Sequence, residues 1–550
     1  MHYFAKTGLT VGPFILGLLF FATSLTPSLI PRDWVLQGVL GGVVMASGYL
    51  IGRMVLLVWW LLELPLARGR FLTALRVIFA TPVLLVLVVC LWQARQWQNG
   101  IRIRMGMETV DSAHTLRMVL LTLLVFAVLR LLGYGLQWLF NQLRRNLYRI
   151  MPRRTADVAG FILTILLVFI VTRDGLLDRV IASLDKSVTL AQALFDEAPP
   201  APLGDTVAGG AGSLVDWTAM GQPGRDYVTS GPQATDIAAF TGRDAIDPVR
   251  VYVGLAQAET PEARAKTALA ELIRLGGFDR KVLIVALPTG TGWLDPGSMD
   301  PVEYMHGGDI ATVAVQYSYL QSPLALILET RSGLDQAKAL ITTIQSYWRR
   351  LPRDNRPRLY IHGLSLGAWS SMYGTDLFAL LDDPINGAFW AGPPFPSTLW
   401  SDILAQRNEG SAYVAPIVGN GRLARFASHK VDAGGPEGWG DMRLVFLQYS
   451  SDPIVFYEPA SLFRAPEWMK EPAAMDVSPS MRFMPVVTQF QLAVDLALAN
   501  TAPAGYGHAY YGPDYIGPWV AVTDPENWTE ADTERLKLHC GAGFQMGCDH

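Results

Sequence analysis

Arg358-Leu359-Tyr360-Ile361-His362-Gly363-Leu364-Ser365-Leu366-Gly367-Ala368 is the stretch that decides the fold. Its first half is an apolar run that reads as a buried strand, and from Leu366 to Leu381 the pattern reads as a helix. Between them stands G-x-S-x-G, with Gly363 and Gly367 on either side of Ser365. Strand, tight turn and helix together make this a nucleophile elbow, in which the serine is held in a strained conformation with its hydroxyl at the surface of the sheet. The flanking glycines are required because a Cβ at either position would collide with the neighbouring strand and helix.

Working outward, short apolar runs alternate with helical periodicity from about residue 225. Val249–Val253, Lys281–Leu287, Thr312–Gln316, Arg358–His362, Gly387–Trp390 and Arg443–Gln448 read as buried strands, and Pro261–Leu275, Leu334–Arg350 and Leu366–Leu381 as helices. Such alternation implies an α/β fold with a mostly parallel sheet, whose ligands bind beyond the carboxyl ends of the strands. Ser365 stands just past one such end.

A serine hydroxyl needs an adjacent base, and the base needs a carboxylate to fix its tautomer and stabilise the imidazolium. The chain order Ser, acid, His selects among the residues after the elbow. Asp452 follows the strand ending at Gln448 and is the expected acid. Of His429, His508, His539 and His550, His508 in the glycine-rich Gly505-Tyr506-Gly507-His508 is the expected base. The oxyanion needs two backbone donors: Leu366, directly after the nucleophile, and one of Thr289, Gly290 or Thr291 in the loop after Lys281–Leu287. His362 reads as a satisfied core histidine. No H-E-x-x-H, P-loop or paired C-x-x-C pattern is present, so the expected chemistry uses no metal and no cofactor.

The N-terminal third differs in kind. Hydrophobic residues make up 51% of the chain and charged residues only 17%, below the quarter usual in soluble proteins. The apolar excess lies near the start. Leu9–Ile30, Val35–Leu62, Leu75–Trp92 and Met118–Phe140 approach or exceed the ~20 helical residues that cross a bilayer, and Val158–Thr172 is a shorter fifth candidate. Residues 1–173 hold 17 Lys and Arg against 5 Asp and Glu, and the remainder 27 against 43. A basic membrane part followed by an acidic soluble part fits that split, with the lipid bilayer as partner and no nucleic-acid surface.

Arg53 and Arg130 interrupt the apolar runs and read as snorkelling or paired, for instance with Glu63. Arginines crowd the second and fourth connections, so those and the N-terminus are expected in the cytoplasm, although Arg95, Arg102 and Arg104 of the third connection weaken the bias. Five spans then put the C-terminal domain on the outer face; four would keep it inside. Five is the reading adopted here. Gly175–Phe195 has the spacing of an amphipathic helix, and Ala198–Gly212 the composition of a linker. The expected organisation is a transmembrane helical domain at 1–173, a helix and linker at 174–224, and an α/β-hydrolase domain at 225–550. Cys540 and Cys548 would close a short disulfide loop in an oxidising compartment.

Pro288-Thr289-Gly290-Thr291-Gly292-Trp293, Gln316-Tyr317-Ser318-Tyr319-Leu320, the elbow, Gly392-Pro393-Pro394-Phe395, Ser451-Asp452-Pro453-Ile454-Val455 and Gly505-Tyr506-Gly507-His508 together resemble a bacterial α/β-hydrolase family that carries an N-terminal multi-span membrane domain. The resemblance spans nearly the whole chain and implies Ser365, Asp452 and His508 as a catalytic triad. The function expected is a multi-pass, membrane-anchored serine hydrolase acting on an apolar ester substrate. An acyltransferase using the same triad, or a transporter or sensor with a hydrolase-fold domain, are the alternatives.

Overall fold

The computed structural model describes residues 10–65, 67–169, 198–318, 330–375, 382–541, 543 and 546–549. The chain forms two compact units. One comprises residues up to 186 together with 458–496; the other comprises 187–457 with 497–550.

The first unit is built on helices α1 (Val11–Ser24), α2 (Trp34–Leu61), α3 (Gly69–Arg104), α4 (Thr115–Leu147) and α5 (Arg153–Phe169). By length and apolarity α2, α3 and α4 are able to cross a membrane. The predicted first span is shorter than expected, because the helix stops at Ser24 and α1 has only 14 residues. Glycines in α2 set the packing. A Cβ on Gly52 would come within 2.7 Å of Pro13 Cα, and one on Gly42 within 2.5 Å of Val125 Cβ. Small residues of this kind let helix backbones approach closely. The contacts Gly17–Met45 and Gly52–Pro13 make α1 and α2 antiparallel, whereas Gly38–Leu121 and Gly42–Val125 make α2 and α4 parallel. Phe21, Leu25, Met45, Cys90, Met118 and Phe126 fill the space between. The Arg130 guanidinium lies over the Tyr134 ring at 3.9 Å.

Residues 458–496 depart from the expected 225–550 domain. The helix Val487–Ala497 lays Val487 against Leu40 and Val44 of α2. Asp495 accepts from Ser28 Oγ and the Leu29 N–H, and Gln491 Nε2 donates to the Ser24 and Thr26 carbonyls. Long-range polar pairing, silent in local periodicity, drew this segment into the helical unit.

The second unit holds a seven-stranded, all-parallel sheet in the order β1-β3-β2-β4-β5-β7-β6. The strands are β1 (Val249–Val253), β2 (Val282–Leu287), β3 (Ile310–Val315), β4 (Arg358–Leu364), β5 (Gly387–Ala391), β6 (Ala424–Ala427) and β7 (Arg443–Leu447). Continuous burial of β2, β3 and β5 explains their largely apolar runs, broken only by Thr312 in β3, since helices cover both faces of such a sheet. The helix after the elbow ends at Gly374, short of the predicted Leu381, and residues 376–381 lie outside the described set, as does the predicted helix Gly175–Phe195. The expected linker is packed: Pro199 O accepts from Trp217 Nε1, and Asp205 O accepts from Arg274 Nη1.

Candidate active site

Central strand β4 runs directly into the helix Leu366–Gly374, and Ser365 occupies the turn with φ 57° and ψ −123°. A non-glycine residue at positive φ is strained and persists only where its surroundings impose it. Here they do. A Cβ on Gly363 would sit 2.3 Å from the Gly367 carbonyl carbon, and one on Gly367 would sit 2.0 Å from Leu287 O. The second contact also shows that the end of β2 passes directly beneath the start of the helix.

The loop after β2 is therefore beside the elbow, as a second oxyanion donor requires. Its conformation is fixed from two neighbouring strands. Tyr252 of β1 donates its hydroxyl to Gly292 O at 2.6 Å, and Gln316, just past β3, donates Nε2 to Thr291 O at 3.1 Å. Within the loop the Thr289 N–H donates to Trp293 O at 3.0 Å. That N–H is engaged, so of the three expected donors Gly290 and Thr291 are the ones left. Leu366 opens the helix, where N–H groups have no intrahelical acceptor.

Two loops at the same edge of the sheet bring the acid and the base together. Asp452 follows β7 and is wholly buried; its Oδ2 accepts from His508 Nδ1 at 2.7 Å, and its Oδ1 from the Ile454 N–H at 2.8 Å. The carboxylate accepts, so Nδ1 carries the proton and Nε2 is left with its lone pair. Ser451 Oγ takes the Gly507 N–H, which pins the loop of His508 to that of Asp452. The imidazole lies against the elbow. Ser365 N–H donates to Ala391 O, and at the next residue the missing Cβ of Gly392 leaves room for His508 Cε1, which it would otherwise meet at 2.7 Å. His508 Nε2 is buried and has no hydrogen-bond partner. Ser365 and His508 thus make no hydrogen bond with each other.

Three further residues shape the site. Tyr510 donates its hydroxyl to Asp452 Oδ2 at 3.0 Å, and burial beside that carboxylate holds the phenol well above its ordinary range, so it remains a donor. Its ring stacks on Tyr449 at 4.5 Å. Asp295, at the exit of the oxyanion-side loop, accepts from Tyr515 OH and the Gly297 N–H; burial pushes its carboxyl up to about 7. Gln316 is the third. Its signal was a polar residue directly after an apolar strand, on the ligand-binding edge of a parallel sheet. Tyr510 lay two residues from the histidine.

The remaining histidines have other roles. His362 donates Nδ1–H to Phe389 O and accepts at Nε2 from Ser298 Oγ, and burial lowers it to about 4. His539 bonds Tyr304 OH, and His429 packs on Tyr449 and Tyr506. His550 lies outside the described residues.

A family model described as an alpha/beta-hydrolase family matches residues 249–536, and one described as the N-terminus of an alpha/beta-hydrolase family matches residues 25–232. Among curated proteins and among solved structures, none matches.

Proposed function

The chain belongs to the alpha/beta-hydrolase family, and from that premise we propose that it is a membrane-anchored serine hydrolase cleaving an ester of an apolar acyl group. The observations that support this reading are the buried Asp452–His508 pair, whose Nε2 has no partner, and the strained Ser365 on the elbow.

In the reaction proposed, Ser365 Oγ attacks the ester carbonyl carbon and passes its proton to His508 Nε2. The charge that develops on the carbonyl oxygen is met by the Leu366 N–H and by that of Gly290 or Thr291. Asp452 stabilises the imidazolium and keeps it oriented. When the tetrahedral intermediate collapses, the alcohol leaves with the proton from His508, and Ser365 holds the acyl group. A water then gives its proton to His508 as it attacks the acyl carbon, and the acid departs as the proton returns to Ser365. Transfer to another alcohol in place of water would follow the same course.

Anchoring rests on the long apolar helices of the first unit and supports a substrate drawn from the lipid phase. The Cys540–Cys548 disulfide supports an oxidising, extracytoplasmic location for the second unit.

A fluorophosphonate probe tests the chemistry. Full-length protein should be labelled, and Ser365→Ala should abolish the label while leaving the fold intact. An unlabelled, folded wild type, or label persisting in the alanine variant, would overturn the proposal.

A further inference from the structure

The connection between α1 and α2 buries a cation whose hydrogen bonds are incomplete. Arg32 is only 4% exposed. Its Nη2 donates to Thr26 O at 3.2 Å, and its backbone N–H donates to Gln98 Oε1 at 2.8 Å. Its Nε and Nη1 are closed off from solvent and have no acceptor. Asp495 acts on the guanidinium electrostatically, but its two oxygens are occupied by Ser28 Oγ and the Leu29 N–H, and no ion pair forms. Burying a charge with two N–H groups unmet is costly, so such a group calls for a partner.

The surroundings provide room for one. Arg32 lines a cavity of about 520 Å³ within the helical unit, in the size range of small-molecule sites. Trp34, Ala94 and Met118 supply an apolar wall, while Arg102 and His114 add polar, basic groups. Two acids, Asp33 and Asp111, line it as well. Asp33 caps α2 by accepting the Leu36 N–H, and Asp111 lies exposed in the connection to α4. Arg32 stands two residues before α2 begins, at the depth where headgroups meet a spanning helix.

We propose that this cavity binds the anionic group, phosphate or carboxylate, of a bilayer amphiphile, with the anion at the Arg32 side chain where it lines the cavity and the apolar part along Trp34, Ala94 and Met118. The site is independent of the serine chemistry. It adjoins the connection gripped by residues 458–496, since Thr26 O accepts from both Arg32 and Gln491.

The experiment uses full-length protein in neutral detergent, with thermal unfolding and native mass spectrometry in the presence of phosphatidylglycerol, phosphatidylcholine or inorganic phosphate. Phosphatidylglycerol should be retained and should raise the melting temperature, whereas phosphatidylcholine and free phosphate should not. Arg32→Gln should weaken retention about tenfold, as expected for a lost charge-assisted contact. Because that variant removes a buried structural bond, Arg102→Gln at the cavity and Met118→Trp within it provide second routes to the same loss. Equal stabilisation by inorganic phosphate would overturn the amphiphile as occupant. Absence of any phosphatidylglycerol effect, or an effect that survives in all three variants, would overturn the site.

Discussion

Asp452 has three donors and no freedom to move: His508 Nδ1 and Tyr510 OH share one oxygen, and the Ile454 N–H holds the other. Under the proposed chemistry the two donors on Oδ2 have opposing effects. The His508 bond transmits the carboxylate charge to the imidazole, while the Tyr510 bond draws part of that charge away. Tyr510→Phe should therefore raise the pH at which the rising limb of kcat/KM appears, because the imidazolium is better stabilised. It should also cost about tenfold in turnover through looser positioning, the scale of one neutral hydrogen bond. A pH–rate profile with a p-nitrophenyl ester measures both, and an unshifted limb would remove Tyr510 from the relay. Asp452→Asn should cost far more, on the order of 10⁴-fold, because the wrong tautomer is then favoured. Asp295 makes a different prediction. Its folded carboxyl is raised to about 7 by burial, against about 4 in an unfolded chain. The fold thus favours the protonated form, and stability should fall as pH rises from about 4 to about 7 and then level off. Asp295→Asn keeps an acceptor for the Gly297 N–H and stays neutral, so its unfolding free energy should be flatter over that window. Denaturant titrations of both proteins at pH 5 and pH 8 check the sign.

Among elements, the β4 elbow carries the tightest constraints. A methyl group on Gly367 would lie 2.0 Å from Leu287 O and 2.9 Å from Pro288 O. Both are backbone atoms of the loop that holds the remaining oxyanion donors. Gly367→Ala should cost about 3 kcal/mol of stability by overpacking and should also lose probe labelling, since the loop has to move away from Leu366. Retained labelling with an unchanged melting temperature would contradict this geometry. The elbow was legible because its constraint is local: two glycines, one serine and the change from strand to helix lie within a few residues. The central strands were legible for a related reason, since burial on both faces leaves a largely apolar run. Strand β6 escaped notice because it is only four residues long, lies at the sheet edge and carries Arg425. The clamp on the oxyanion loop was hidden for the opposite reason. Gln316 and Tyr252 come from separate strands and meet that loop only in three dimensions, and no local pattern encodes such a meeting.

Across the whole chain, the most informative feature is where residues 458–496 return. They lie between Asp452 and His508 in sequence, yet they pack on the α1–α2 connection, through Asp495 to Ser28 and Leu29 and through Gln491 to Ser24 and Thr26. Polar residues of such a segment read as ordinary surface positions in the sequence, since their partners lie more than 450 residues away. The placement bears on topology. α1 and α2 are antiparallel and α2 and α4 parallel, so the α1–α2 and α3–α4 connections share one end of the bundle. α5 turns back along α4, with Tyr148 OH bonded to Asp157 and Gly160 against Arg144. It thus runs toward the end where residues 458–496 are docked. The opposite end carries Arg68 and Arg70, and Arg144, Arg145, Arg149, Arg153 and Arg154, the bias of a cytoplasmic face. The proposed topology therefore puts the α1–α2 connection, residues 458–496 and the C-terminus outside. Alkaline phosphatase fused near residue 110 or after the C-terminus should be active, and β-galactosidase should be active when fused near residue 66 or residue 150. Cys540 and Cys548 give an independent readout in the unfused protein: because both are buried and joined in a disulfide, maleimide added to cells as they are denatured should label them only after reduction. A C-terminal fusion active only as β-galactosidase, together with cysteines that label on denaturation without reduction, would place the second unit in the cytoplasm and leave four crossings.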